Sequence, residues 1–94
     1  MKKIAFKKLV VSFAGDVEET KKIELKLFKI DDSNYLLEWF CPKENERFEI
    51  NIICLEVENI EKGREKYISE ISGIDFIPEE VKEFLKSLGF YGIE

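Results

Sequence analysis

An α+β fold is the architecture this sequence predicts: an antiparallel meander of about five strongly coiled strands, either a half-open barrel or a sheet covered on both sides, with a C-terminal helix packed on it. Three observations carry that reading. The run Phe48–Val57, FEINIICLEV, is the most continuous apolar segment and has the length of a central strand. Alternation with a period of two recurs on either side of it, between short clusters of turn formers. After Pro78, Val81, Phe84, Leu85 and Leu88 recur at i, i+3, i+4 and i+7, which gives a helix one apolar face.

Residues 2–13 and 20–30 read as the arms of a hairpin around Ala14–Thr20, with Gly15 and Asp16 as turn residues. In each arm the apolar parity switches part-way. Ile4 and Phe6 share one parity, whereas Leu9, Val11 and Phe13 share the other. Ile23, Leu25 and Leu27 alternate together, and Phe28 and Ile30 take the opposite set. One register pairs Val11 with Ile23, Leu9 with Leu25, Phe6 with Phe28 and Ile4 with Ile30, and it satisfies both sets. Successive side chains point to opposite faces. The expected hairpin therefore passes from one side of the core to the other, with a bulge at Lys7–Lys8.

Asp31-Asp32-Ser33-Asn34 is a turn of residues that hydrogen-bond their own backbone. A third strand, Tyr35–Cys41, follows and ends at Pro42, which has no N–H for the ladder. Strand four, Glu46–Asn59, sets Trp39 against Phe48, Leu37 against Ile50 and Tyr35 against Ile52. From Ile53 both parities are apolar, so this strand is expected to be covered on both faces. For residues 60–72 a helical stripe of Ile60, Tyr67, Ile68 and Ile71 competes with a fifth strand, Arg64–Ser72, behind a Glu61-Lys62-Gly63 loop. The strand is favoured, with Val57 opposite Tyr67, Ile53 opposite Ile71 and Glu58 opposite Lys66. The helix Pro78–Leu88 carries Glu79 and Glu80 at its positive end, and Gly89 suits a left-handed cap with Phe90 folding back toward Leu85. Tyr91 and Ile93 form a short tail.

Ninety-four residues, 45% of them apolar and eight of them Phe, suffice for one domain spanning 1–94 with a real core. No apolar run approaches the ~20 residues that cross a bilayer. Lys7 and Lys8 interrupt the N-terminal apolar residues, unlike a signal peptide. The expected location is cytoplasmic, without membrane contact. Charged residues reach 37%, mainly Lys and Glu, which fits a thermophile or an AT-rich genome equally.

The net charge of −5 is uneven. Residues 1–29 hold eight Lys against four acids, a balance of +4; residues 30–94 hold seven basic residues against sixteen acids, a balance of −9. The plain reading is a basic hairpin beside acidic strands. The sharper one is two surfaces for different partners.

The chain has no His, so no Ser-His-Asp triad, Cys-His dyad or His-ligated metal can be built. Cys41 and Cys54 lack Cys-x-x-Cys spacing. In the register above, a strand length of about 26 Å separates them, too far for a disulfide within this hairpin. Cys54 reads as a small core hydrophobe and Cys41 as a thiol that a strand end can expose. The carboxylate pairs Asp31/Asp32 and Glu79/Glu80 are explained by a turn and a helix start, and neither matches a calcium loop. The isolated glycines form no phosphate loop. No catalytic residue, metal or cofactor is expected.

Lys8, Lys22 and Lys26 form the best candidate surface. The register above places Lys8 opposite Lys26, with Lys22 beyond Glu24, on a solvent face without interleaved aromatics. Such a face also discourages edge pairing. The function expected first is a small non-enzymatic interaction module, binding or inhibiting a protein partner through an acidic surface or a sheet edge. The alternative is a nucleic-acid-associated accessory protein using Lys8, Lys22 and Lys26. The doubly apolar strands need cover, and a second copy would supply it, so a homodimer is expected.

Overall fold

The central hairpin follows directly from its alternation. Strand β3 (Asn34–Cys41) buries Tyr35, Leu37, Trp39 and Cys41 and leaves the residues between them partly exposed. It pairs with β4 (Glu46–Asn59), setting Trp39 opposite Phe48, Leu37 opposite Ile50 and Tyr35 opposite Ile52, as expected. Asn45, with φ of 51°, closes the intervening turn, and its N–H donates to the Pro42 carbonyl at 3.3 Å. The structure, a computed structural model, describes residues 1–13, 19–61 and 63–92. The expected turn residues 14–18, Lys62 and the tail residue Ile93 lie outside the described residues.

The remaining strands are β1 (Lys2–Phe13), β2 (Glu19–Lys29), β5 (Gly63–Ser72) and β6 (Phe90–Tyr91), with helix α1 (Glu79–Ser87) before the last. They form one sheet in chain order, curled by 214° into a half-barrel. Two differences from the expected meander matter. The described residues hold six strands rather than five, and β6 runs parallel to β5, so the sheet is mixed. The helix is shorter than expected, and Pro78 caps it from outside, its carbonyl accepting from the N–H groups of Val81 and Lys82 at 3.1 Å each.

The first hairpin departs from its expected register. Leu9 opposes Ile23 and Val11 opposes Lys21, a slip of two residues, and the irregularity falls between Lys3 and Ala5 rather than at Lys7–Lys8. Nor does the hairpin cross the core: Ile4, Phe6 and Ile30 are exposed, and only the Val11, Ile23, Leu25, Leu27 face is buried. The fifth strand exists, but its register is also displaced, with Val57 opposite Glu65, Ile53 opposite Glu70 and Glu58 opposite Arg64. A bulge explains part of this. Ser69 has no partner residue between Ile53 and Cys54, and its hydroxyl instead donates to the Ile53 carbonyl at 3.1 Å. Such bulges bend a strand and raise its twist. The second face of β4 is not covered: Ile53, Leu55 and Val57 are all exposed, Leu55 at 62%.

The core lies on the concave side. Val81, Phe84 and Leu85 of α1 join the buried side chains of β1 to β4 and Phe90 of β6. The helix lies against both β1 and β6, the two edges of the sheet, and so lies across the mouth of the half-barrel. The Asp31 turn behaves as read: one carboxylate oxygen accepts from the side-chain amide of Asn34 and from the backbone N–H groups of Ser33 and Asn34. These bonds, the Asn34 side chain foremost, hold its carboxyl below the usual range. Among the described residues, no helix is long and apolar enough to cross a membrane.

Candidate binding surface

With the odd-numbered residues of β1 and β2 facing the core, their even-numbered side chains stand on the convex face. Lys8, Lys22 and Lys26 all project there; Lys8 and Lys22 are exposed and Lys26 is half-buried. The structure brings the three lysines onto one face, as expected, but changes their neighbours. Lys8 opposes Glu24 rather than Lys26, Lys22 opposes Val10, and Lys26 stands between Phe6 on β1 and Glu38 on β3. The slip of two residues keeps every side chain on its face while replacing its partner.

Because the hairpin does not cross the core, a second expectation is corrected as well. Aromatics do share this face: Phe6 lies beside Lys26, Phe40 beside Glu24, and Phe28 beside Leu36. Arg47 of β4 adds a fourth cation; its guanidinium bonds Glu38 at 2.6 Å and lies 4.8 Å from the centre of the Phe40 ring. Glu24, Glu38 and Glu49 are interleaved among these cations. That is a mixed surface rather than the concentrated basic footprint of a nucleic-acid site. Past Glu24, β2 outruns its pairing with β3, and a recess of about 620 Å³ opens beside the Pro42–Asn45 turn, with Lys22 and Lys43 on its walls. Lys21, also on its wall, lies 3.8 Å from Glu44.

The remaining sequence candidates resolve as structural groups. Lys29 reaches Asp32 at 3.2 Å, Glu79 lies 3.8 Å from Lys82, and the Glu80 carboxylate accepts the Ser12 backbone N–H at 3.4 Å. Among the described residues, no group of three or more Cys, Asp or Glu side chains is placed to hold a metal ion. Cys54 is a core side chain, as read; Cys41 is buried too, against the expectation that a strand end exposes it, and both thiols are free. The indole N–H of Trp39 donates to the Cys41 sulfur at 3.1 Å. Burial pushes the Cys54 thiol up to about 11. Thiolates, not thiols, react. Iodoacetamide at neutral pH should therefore label neither cysteine in the folded chain and both after unfolding in guanidinium, as counted by mass spectrometry.

Two features escaped the sequence reading. Glu65 is only 6% exposed, and its carboxylate accepts the Tyr67 hydroxyl at 2.7 Å, a bond that raises the Tyr67 pKa above its ordinary value. Nothing in the polar alternation of β5 marks that residue as buried. The other is β6, two residues that run parallel to β5 and extend the sheet beyond the expected meander; the position of β1 at an edge is what that meander implies, and the lysine-rich, acid-free composition of residues 2–13 suits it. Compared with family models, curated proteins and solved structures, the chain matches none.

Proposed function

We propose that this chain is a small non-enzymatic interaction module that engages a protein partner through the open side of its sheet. The observation that supports this most is the β1 edge. Strand β1 is twelve residues long and, among the described residues, has a strand neighbour on one side only, whereas the opposite edge, β6, has two residues. An unpaired strand is a template for another chain. Exposed apolar side chains flank it on the convex face, with Phe6 at 45% and Val10 at 49%. The lack of histidine and the burial of both thiols favour binding over catalysis.

A nucleic-acid partner is the second reading. Phe6, Phe28 and Phe40 beside Lys8, Lys22 and Lys26 supply the stacking rings such a surface uses, but the three interleaved glutamates weigh against it. Affinity capture from the native host, with a charge-matched unrelated domain as control, tests the first reading. Reproducible enrichment of one or a few proteins is expected. Recovery of no protein above the control, together with salt-sensitive binding of single-stranded nucleic acid, would replace it with the second. A homodimer through the exposed convex residues is the remaining proposal, and a sizing measurement at high micromolar concentration that returns a monomer removes it.

A further inference from the structure

We infer that the occupant of the β1 edge is an acidic, extended segment of a partner protein, added as a strand beside Phe6, Lys8 and Val10. The inference rests on the interaction-module reading and names the chemistry of the partner.

The phase of the backbone is fixed by bonds within the sheet. The Ile30 N–H donates to the Asn34 carbonyl at 2.9 Å, so even-numbered residues of β2 direct their backbone groups toward β3. Backbone groups alternate sides along an antiparallel strand. The odd-numbered residues of β2 therefore face β1, and their partners, Lys7, Leu9 and Val11, face back. The even-numbered residues of β1 must then point outward. Ser12 agrees independently, because its N–H reaches away from β2 to the Glu80 carboxylate of the helix. The bulge at Ile4 ends the regular edge on one side and Glu80 occupies it on the other. Between them the N–H and C=O groups of Phe6, Lys8 and Val10 face out, and among the described residues no backbone bond to them comes from outside β2.

Charge selects the occupant. Residues 2–13 hold Lys2, Lys3, Lys7 and Lys8 and no acid. Adding β2, residues 19–29, brings four more lysines against Glu19 and Glu24, a balance of eight minus two, or +6. Pairing β1 with a second copy would line up eight lysines on adjacent strands, and like charges opposite one another destabilise a sheet. An acidic strand reverses that sign. The helix already shows the chemistry on this edge, since it is a carboxylate that accepts from Ser12. Phe6 and Val10 on the convex face, with Lys8 between them, call for apolar residues flanking an acid.

The test uses the isotope-labelled full chain and a capped peptide of alternating glutamate and valine, about six residues long as strands usually are. At about ten times its Kd, hydrogen exchange at the amides of Phe6, Lys8 and Val10 should slow about tenfold, while Lys7, Leu9 and Val11, already bonded to β2, should barely change. A lysine–valine peptide should not bind. Val10→Pro removes one outward N–H without touching the ladder or the charge, a place where proline is tolerated; it should weaken the acidic peptide at least tenfold. The double variant Lys7→Glu, Lys8→Glu, confined to exposed side chains, should do the same, so the outcome does not depend on whether the proline variant folds. Protection elsewhere on the chain, none at all, equal binding of the lysine peptide, or β1-mediated self-association overturns the inference. Capture of the same host protein by Val10→Pro and by the unaltered chain would overturn the edge and leave the module reading intact; capture of none overturns that reading itself.

Discussion

Replacing Phe90 with alanine should destabilise the fold by about 3–5 kcal/mol, the usual range for emptying a buried aromatic site. Against a total of about 5–15 kcal/mol for native proteins, that is a large fraction. Phe90 is fully buried, although its strand has only two residues. Its ring meets Tyr35 edge-on, with centroids 5.0 Å apart and planes at 89°, and the Lys66 ammonium lies 5.3 Å from its centre. It also pairs through β6 with Lys66 of β5. The residue thus ties the end of the helix to the far edge of the sheet, while Val81, Phe84 and Leu85 cover the concave core. Urea unfolding should show a lower midpoint with an unchanged slope. A loss below about 1 kcal/mol, within reach of ordinary surface substitutions, would mean that the ring is not packed there.

How legible these features were depends on what each pattern can encode. The β3–β4 register was readable because Tyr35, Leu37 and Trp39 keep one parity, Phe48, Ile50 and Ile52 keep one parity to match, and a short turn joins the strands. The β1–β2 register was not. Under the expected pairing and the observed one alike, Leu9, Val11, Ile23 and Leu25 share a face, because a slip of two preserves the alternation. Apolar matching therefore identifies the face and leaves the partner open. The lysine face was legible for that reason, and its neighbours were not. The apolar residues at Ile4, Phe6 and Ile30, and at Ile53, Leu55 and Val57, suggested a second buried face; they mark exposed surface instead, where this chain alone supplies no cover. The two-residue β6 is too short to leave a period at all. Strand order was legible, because a meander of consecutive strands sets β1 at an edge, and β1 to β5 follow that order.

Gly73→Ala should destabilise the chain by about 2–6 kcal/mol, combining about 1–3 kcal/mol for a strained backbone conformation with a similar cost for forced overpacking. Gly73 follows β5 directly and has φ of +103°, a region L side chains rarely adopt. A Cβ there would run into the Glu49 carbonyl oxygen and would lie 3.4 Å from the Ile50 Cα. Both are backbone atoms of β4, so neither can swing aside, and moving them would disturb the strand that carries Ile50 and Ile52 into the core. Gly89 provides the matched control. Its φ of +90° is similarly left-handed, but a Cβ there would meet nothing within 4 Å. Gly89→Ala should therefore show the conformational cost alone, about 1–3 kcal/mol. The difference between the two variants, measured by denaturant unfolding under the same conditions, isolates the close approach of the β5 exit to β4. Equal losses would show that β4 yields at Glu49, and that the approach contributes nothing beyond the backbone conformation it requires.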